Sequence, residues 1–159
     1  MMSDLQDHPT SGRIEDGAHL FPVRIYYEDT DFSGAVYHAS YLKFFERGRT
    51  EFLRVAGIGH SDLLQRPDPI AFAATKLNVE YRAAARIDDA LIVRTRFLSV
   101  RGVRMNLDQE LRRLESAGPV LVCRASVEIV CIDPKGGGPK RLPKEIVDAL
   151  APYVSGQDA

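Results

Sequence analysis

Three observations point to an α+β domain in which a curved antiparallel sheet of five strands wraps around one long helix, with a short helix near the C-terminus. Four segments alternate apolar and polar residues with period two, the mark of strands that bury one face. One stretch, 39–56, carries aromatic residues at helical spacing. The turns between the four alternating segments are too short for parallel crossovers, so the strands run antiparallel. A sheet with one apolar face needs a covering element, and 39–56 is the only segment large enough.

Residues 1–18 are polar and rich in Asp, Ser and Gly, and are expected to form a disordered tail. A first strand is expected from His19 to Tyr27, followed by an irregular loop over 28–36. On the long helix Tyr41, Phe44, Phe45, Phe52 and Val55 form one face. Lys43, Glu46, Arg47, Thr50 and Arg54 form the other. Gly48 falls within the apolar face, where it costs helix propensity; close approach of the sheet explains it. Gly57 and Gly59 end the helix, and 60–69 reads as a loop closed by Pro67 and Pro69.

The four remaining strands are then explicit. Leu77, Val79 and Tyr81 alternate in the first, and Leu91, Val93, Thr95 and Phe97 in the second. Val103, Met105, Leu107 and Leu111 share a face in the third; Leu121, Cys123, Ala125, Val127, Ile129 and Cys131 do so in the fourth. Cys123 and Cys131 lie eight residues apart on that strand. That is roughly 26 Å, too far for a disulfide between them, so both read as small buried hydrophobes. A loop over 133–143 leads to a short helix, 143–150, that buries Ile146, Val147 and Leu150. One domain is expected over 19–154, with a tail over 155–159.

With 159 residues, 45% hydrophobic and 27% charged, the chain has the composition of a soluble globular domain with a real core. A net charge of −1 leaves no basic excess for nucleic acid. No apolar run is long enough to span a bilayer. The start lacks the basic and apolar regions of an export signal, which points to a cytoplasmic location. No His-x-x-x-His or Cys-x-x-Cys spacing suggests a metal site.

The chemistry concentrates between Arg24 and Glu51. There a strand turns through Asp29, Thr30 and Asp31, then Ser33 and Gly34, and enters the long helix near His38. A carboxylate on a loop thus faces a helix start, whose free N–H groups and partial positive charge suit a developing oxyanion. Such a pairing is the minimum kit for hydrolysing an activated acyl group. On residue pattern alone, Asp31 reads first as a loop-stabilising Asp. Asp29 reads as turn-making. Ser40 lacks the Gly-x-Ser-x-Gly elbow of a nucleophile.

Several motifs carry a resemblance: Tyr27-Glu-Asp-Thr-Asp31, Gly34-Ala-Val-Tyr-His38, Tyr41 and Phe44-Phe-Glu-Arg-Gly-Arg-Thr-Glu51, supported by Ala84 to Asp89, Arg101-Gly102 and Val130 to Pro134. Over roughly residues 20 to 150 the chain resembles the hot-dog-fold acyl-CoA thioesterases of the 4-hydroxybenzoyl-CoA thioesterase type, and more closely their Tol-Pal-associated subgroup. Ala35, Arg82 and Arg104 depart from the family's usual residues.

The resemblance implies hydrolysis of acyl-CoA to a carboxylic acid and coenzyme A without cofactor or metal. It maps the catalytic carboxylate onto Asp31, as nucleophile or general base. The thioester oxygen would meet the backbone N–H at His38, whose ring lines the site. Gly34, Tyr37 and Tyr41 are expected to contact substrate. Arg101 is expected to contact a coenzyme A phosphate. Glu46 is the reserve catalytic carboxylate, since some relatives place theirs on the central helix. Acyl-CoA is the expected partner, with acyl carrier protein as a second thioester carrier. A homodimer or homotetramer joined at sheet edges is expected, with sites at the subunit boundary. Two rivals remain: a hydratase or dehydratase using His38, and a non-catalytic module that binds acyl-CoA or acyl carrier protein.

Overall fold

The computed structural model of the chain describes residues 7–155. The sheet has six strands, not five: β1 (Arg13–Glu15), β2 (Ala18–Arg24), β3 (Ala71–Tyr81), β4 (Ala90–Arg101), β5 (Arg104–Arg113) and β6 (Val120–Ile132). Their order across the sheet is β1-β2-β4-β5-β6-β3, and every pairing is antiparallel. The helices are α1 (Ser40–Val55), α2 (His60–Gln65) and α3 (Lys144–Leu150). No helix among the described residues is long and apolar enough to cross a membrane.

The additional strand β1 lies inside the segment expected to be a tail. Asp16 and Gly17 both take positive φ, 51° and 72°, which closes a two-residue hairpin between β1 and β2. His19 is fully buried, and its Nε2 lies 2.6 Å from the Ser11 carbonyl, tying the hairpin to the core. Residues 1–6 of the expected tail, and 156–159 at the other end, lie outside the described residues.

The helix α1 fills the concave face of the sheet. Phe44, Phe45 and Phe52 have no exposed surface, and burying each is worth about 1.5–3 kcal/mol. Leu53 joins that face, whereas Val55 is exposed. A Cβ built on Gly48 would sit 2.5 Å from Val93 Cγ1 and 3.3 Å from Thr95 Oγ1. The glycine therefore lets α1 press directly onto β4, as its place in the apolar face required.

Two expectations are corrected. Residues 60–65 form α2 rather than loop, because Leu63 is driven into the core. Strand β3 begins at Ala71, six residues before the alternating stretch, because Ala71 to Lys76 pair with the end of β6. It is an edge strand, and Leu77 and Tyr81 are exposed rather than buried. A bulge between Ala74 and Lys76 and another between Phe97 and Ser99 help bend the sheet around α1.

Candidate active site

Asp31 lies in a tight loop between β2 and α1. Its N–H donates to the Ala35 carbonyl at 2.9 Å, and its carbonyl accepts from Gly34 N–H at 3.1 Å. Gly34 has φ of +83°, a conformation that costs most other residues strain. Two residues on, the Tyr37 N–H donates to the Asp29 carbonyl at 2.9 Å. The loop thus doubles back, so that Asp31 runs beside the segment entering α1. Asp29 is buried and accepts from the Tyr26 N–H at 2.8 Å, a turn-making role.

One oxygen of Asp31, Oδ1, accepts from both the N–H and the hydroxyl of Ser33, at 2.8 and 2.5 Å. These bonds hold the carboxyl below the usual carboxylate range; nearby His38 acts weakly in the same direction. The other oxygen, Oδ2, makes no hydrogen bond among the described residues. The carboxylate is exposed, beside a hollow lined by Tyr27, Thr30, Phe32, Gly34 and Ile87. That hollow includes no residue of α1.

The start of α1 has no side-chain cap: its N-cap is Ala39, and its first turn carries no acidic residue. Most helices cap this end with Ser, Thr, Asp or Asn. Among the described residues neither the His38 nor the Ala39 N–H has an acceptor. The His38 carbonyl accepts from the Tyr81 hydroxyl at 2.9 Å, which ties the peptide before α1 to strand β3. Helix dipole and free N–H groups together leave a place for a negative oxygen.

Among the expected substrate contacts, Tyr37 is half-exposed, its ring 4.4 Å from that of His38. Tyr41 is buried. Its hydroxyl accepts from the Ala85 N–H at 3.1 Å, and its ring packs edge-on to Phe44 and Tyr81. Tyr41 is thus a core residue, and it does not line the hollow beside Asp31.

Arg101 and Glu46 lie elsewhere. Strand registry places Tyr81, Cys123, Leu111 and Leu91 at one end of the sheet, with Asp31, and Ala71, Ile132, Arg104 and Arg101 at the other. Arg101 borders a surface hollow with Arg141 and Lys144. Glu46 rims a cavity of about 310 Å³ between α1, α2 and the sheet. Arg49, Thr50 and His60 also line it, over a floor of Leu53, Phe97, Met105, Leu107 and Ile129. From Ala74, on that cavity, to Tyr81 the strand runs roughly 23 Å at about 3.3 Å per residue.

The model of the thioesterase-like superfamily matches residues 26–150. An Escherichia coli protein, the acyl-CoA thioester hydrolase YbgC, is 45% identical over 127 residues, covering 80% of this chain and 91% of the relative. The Haemophilus influenzae acyl-CoA thioesterase YbgC is 40% identical over 135 residues, covering 85% and 96%. The crystal structure of a 4-hydroxybenzoyl-CoA thioesterase variant bound to 4-hydroxybenzoyl-CoA superposes with a TM-score of 0.77 at 18% identity, covering 83% of this chain and 97% of that one. At that identity it speaks for the hot-dog fold alone. Matched over most of its length by the family model and by relatives at 40–45% identity, the chain belongs to the thioesterase-like superfamily, beside the YbgC thioesterases.

Proposed function

We propose that the chain hydrolyses acyl-CoA thioesters, with Asp31 delivering the nucleophile and the His38 N–H receiving the oxyanion. One observation carries the assignment: a carboxylate held ionised by Ser33 lies in a loop that doubles back beside an uncapped helix start. The thioester carbonyl would point its oxygen at the His38 N–H. Asp31 Oδ2 would attack the carbon, or take a proton from the water that does. The thiolate of coenzyme A departs readily, so one carboxylate and one oxyanion site suffice. Trapping with hydroxylamine during turnover separates the two routes, because direct attack forms a mixed anhydride at Asp31 that hydroxylamine converts to a hydroxamate, whereas the water route forms no covalent intermediate.

The pairing of two copies completes this reading. Strand β3 is an uncovered edge that exposes Leu77 and Tyr81, a surface that invites pairing. Two copies joined antiparallel at β3 would set the Ala71 end of one beside the Tyr81 end of the other. The hollow of Arg101, Arg141 and Lys144 of one copy would then serve the phosphates of a coenzyme A whose thioester lies at Asp31 of the other. Acyl carrier protein presents the same kind of thioester arm and is the natural second carrier to assay.

The decisive test is thiol release from a panel of acyl-CoAs, with Asp31→Asn alongside. We expect the variant to keep its circular dichroism and lose turnover by roughly 10²–10⁴-fold. Substantial turnover in the variant refutes the role of Asp31. Including a 2-enoyl thioester exposes a hydratase, which would consume the double bond and release no thiol.

A further inference from the structure

The convex face of the sheet, away from α1, takes part in no step above. Strand registry lays its side chains out in rows. Arg94 on β4, Glu110 on β5, Arg124 on β6 and Glu80 on β3 stand side by side in one row; Arg96, Asp108, Ser126 and Asn78 stand in the next. All of them border one open hollow of about 290 Å³. Arginines and carboxylates are equally many there, yet the ion pairs form elsewhere. Glu110 turns along its own strand to Arg112 at 2.7 Å, and Glu80 turns to Arg82 at 2.9 Å. Among the described residues Arg94, Arg96 and Arg124 make no ion pair. In a chain of net charge −1, this hollow therefore keeps an excess of positive charge. Arg96 adds a second, independent sign. Its Nη2 donates to the Asp16 carbonyl at 3.4 Å, but its Nε is shut off from solvent without a partner. An orphaned donor of this kind is costly, and an acceptor seated against the guanidinium would satisfy it.

We propose that this hollow binds a diphosphate group through Arg94, Arg96 and Arg124. The inference is independent of the thioesterase reading. Arg94 and Arg96 lie two residues apart on β4, roughly 7 Å, and Arg124 lies two strands from Arg94, roughly 10 Å. All three share one face, so their long side chains converge over the space between them. Each guanidinium presents a fork of N–H donors that grips phosphate oxygens in pairs. Size favours two phosphates over one: about 290 Å³ holds roughly ten non-hydrogen atoms at the ~30 Å³ each water takes in the liquid, which is the bulk of a diphosphate. A single phosphate would leave half the space to water. Asp108 is the one carboxylate of the hollow that no arginine engages, and it stands opposite Arg96. It accepts hydrogen bonds only, so it suits a hydroxyl or amino group carried beside the diphosphate. Free pyrophosphate and a nucleoside diphosphate share the anion; the second also brings the hydroxyls.

The test is isothermal titration calorimetry of the full chain at low ionic strength with pyrophosphate, ADP and inorganic phosphate. We expect pyrophosphate to bind at least ten-fold more tightly than phosphate. Arg124→Gln, an exposed change, should weaken that binding ten-fold or more while circular dichroism and thiol release stay as they were. Arg101→Gln, in the other cationic hollow, should leave it intact. The Arg96 Nε–H signal, identified in NMR spectra by its loss in Arg96→Lys, should shift as the site fills. ADP binding more tightly than pyrophosphate supports the proposal with a nucleotide as the source; weaker ADP binding at the same arginines supports it with the free anion. Absence of saturable binding overturns the proposal, as does binding that Arg124→Gln leaves unchanged or that only Arg101→Gln removes. Equal affinity for phosphate and pyrophosphate overturns the diphosphate assignment. None of these results bears on Asp31, so the thioesterase reading stands or falls separately.

Discussion

At one end of the sheet, Asp31 and His38 sit in exposed backbone held by turn hydrogen bonds. At the other, Arg49, Thr50 and His60 wall a cavity floored by the hydrophobic core. The first end has a carboxylate beside an open hollow of about 460 Å³. The second is a half-open hollow of about 310 Å³ with mixed polar and apolar lining, Glu46 and His60 among it. Both ends lie along the same helix, whose N-terminus serves one and whose second half roofs the other. A helix of this length, roughly 24 Å at ~1.5 Å per residue, holds the two hollows well apart within one chain. Two copies related by a dyad would remove that separation.

Complementation tests the shared arrangement most directly. On the proposed reading Asp31→Asn removes the carboxylate and Arg101→Glu removes the phosphate contact supplied by the other copy, so each alone should lose most of its activity. Co-refolded in equal amounts, half of the dimers are mixed, and each mixed dimer contains one intact site. We expect recovery to about a quarter of wild-type activity from two near-dead variants. Recovery no greater than the sum of the separate variants means that each chain carries its own complete site, and the shared arrangement is then wrong.

The hinge of the comparison is Gly48, where α1 touches β4. Gly48→Ala gains about 1 kcal/mol of helix propensity. It also puts a methyl 2.5 Å from Val93 Cγ1, on a fully buried side chain with no room to retreat. Overpacking of this kind costs about 1–3 kcal/mol, so we expect a net loss near 1 kcal/mol in urea unfolding. A second change, Val93→Ala, should relieve the clash, making the pair less destabilising than the sum of the singles. Strict additivity would show that the helix does not bear on β4 at this point.

How much was legible follows the same division. The Asp31 end is written in a contiguous motif, and local turn chemistry carries it: the alternation of strands, the aromatic face of α1 and Gly48 were all readable from spacing. Ser33 was visible as a turn residue, and its position two after an Asp is the signal of a side chain that binds its own loop. Asp16-Gly17 is likewise a hairpin signal, obscured by the polar residues around it. The cavity end could not be read this way. Arg49, His60, Phe72, Phe97 and Met105 come from α1, α2 and three strands, and nothing local connects them. The exposure of Leu77 and Tyr81 was missed for a related reason: alternation identifies a strand, but not whether it has a neighbour on each side.

The smallest predicted effect probes the chemical end alone. Ser33 supplies the two hydrogen bonds that lower the pKa of Asp31, and its hydroxyl bond is the larger cause. A depressed carboxyl stays ionised to lower pH, so the acid limb of kcat/KM should lie below pH ~4, the ordinary Asp value. Ser33→Ala removes the hydroxyl and leaves the N–H bond in place. The carboxyl should then move part of the way back towards its ordinary value, shifting the acid limb upward while changing activity at neutral pH by only a few-fold. A limb that stays where it was would mean that some other group governs the acid side.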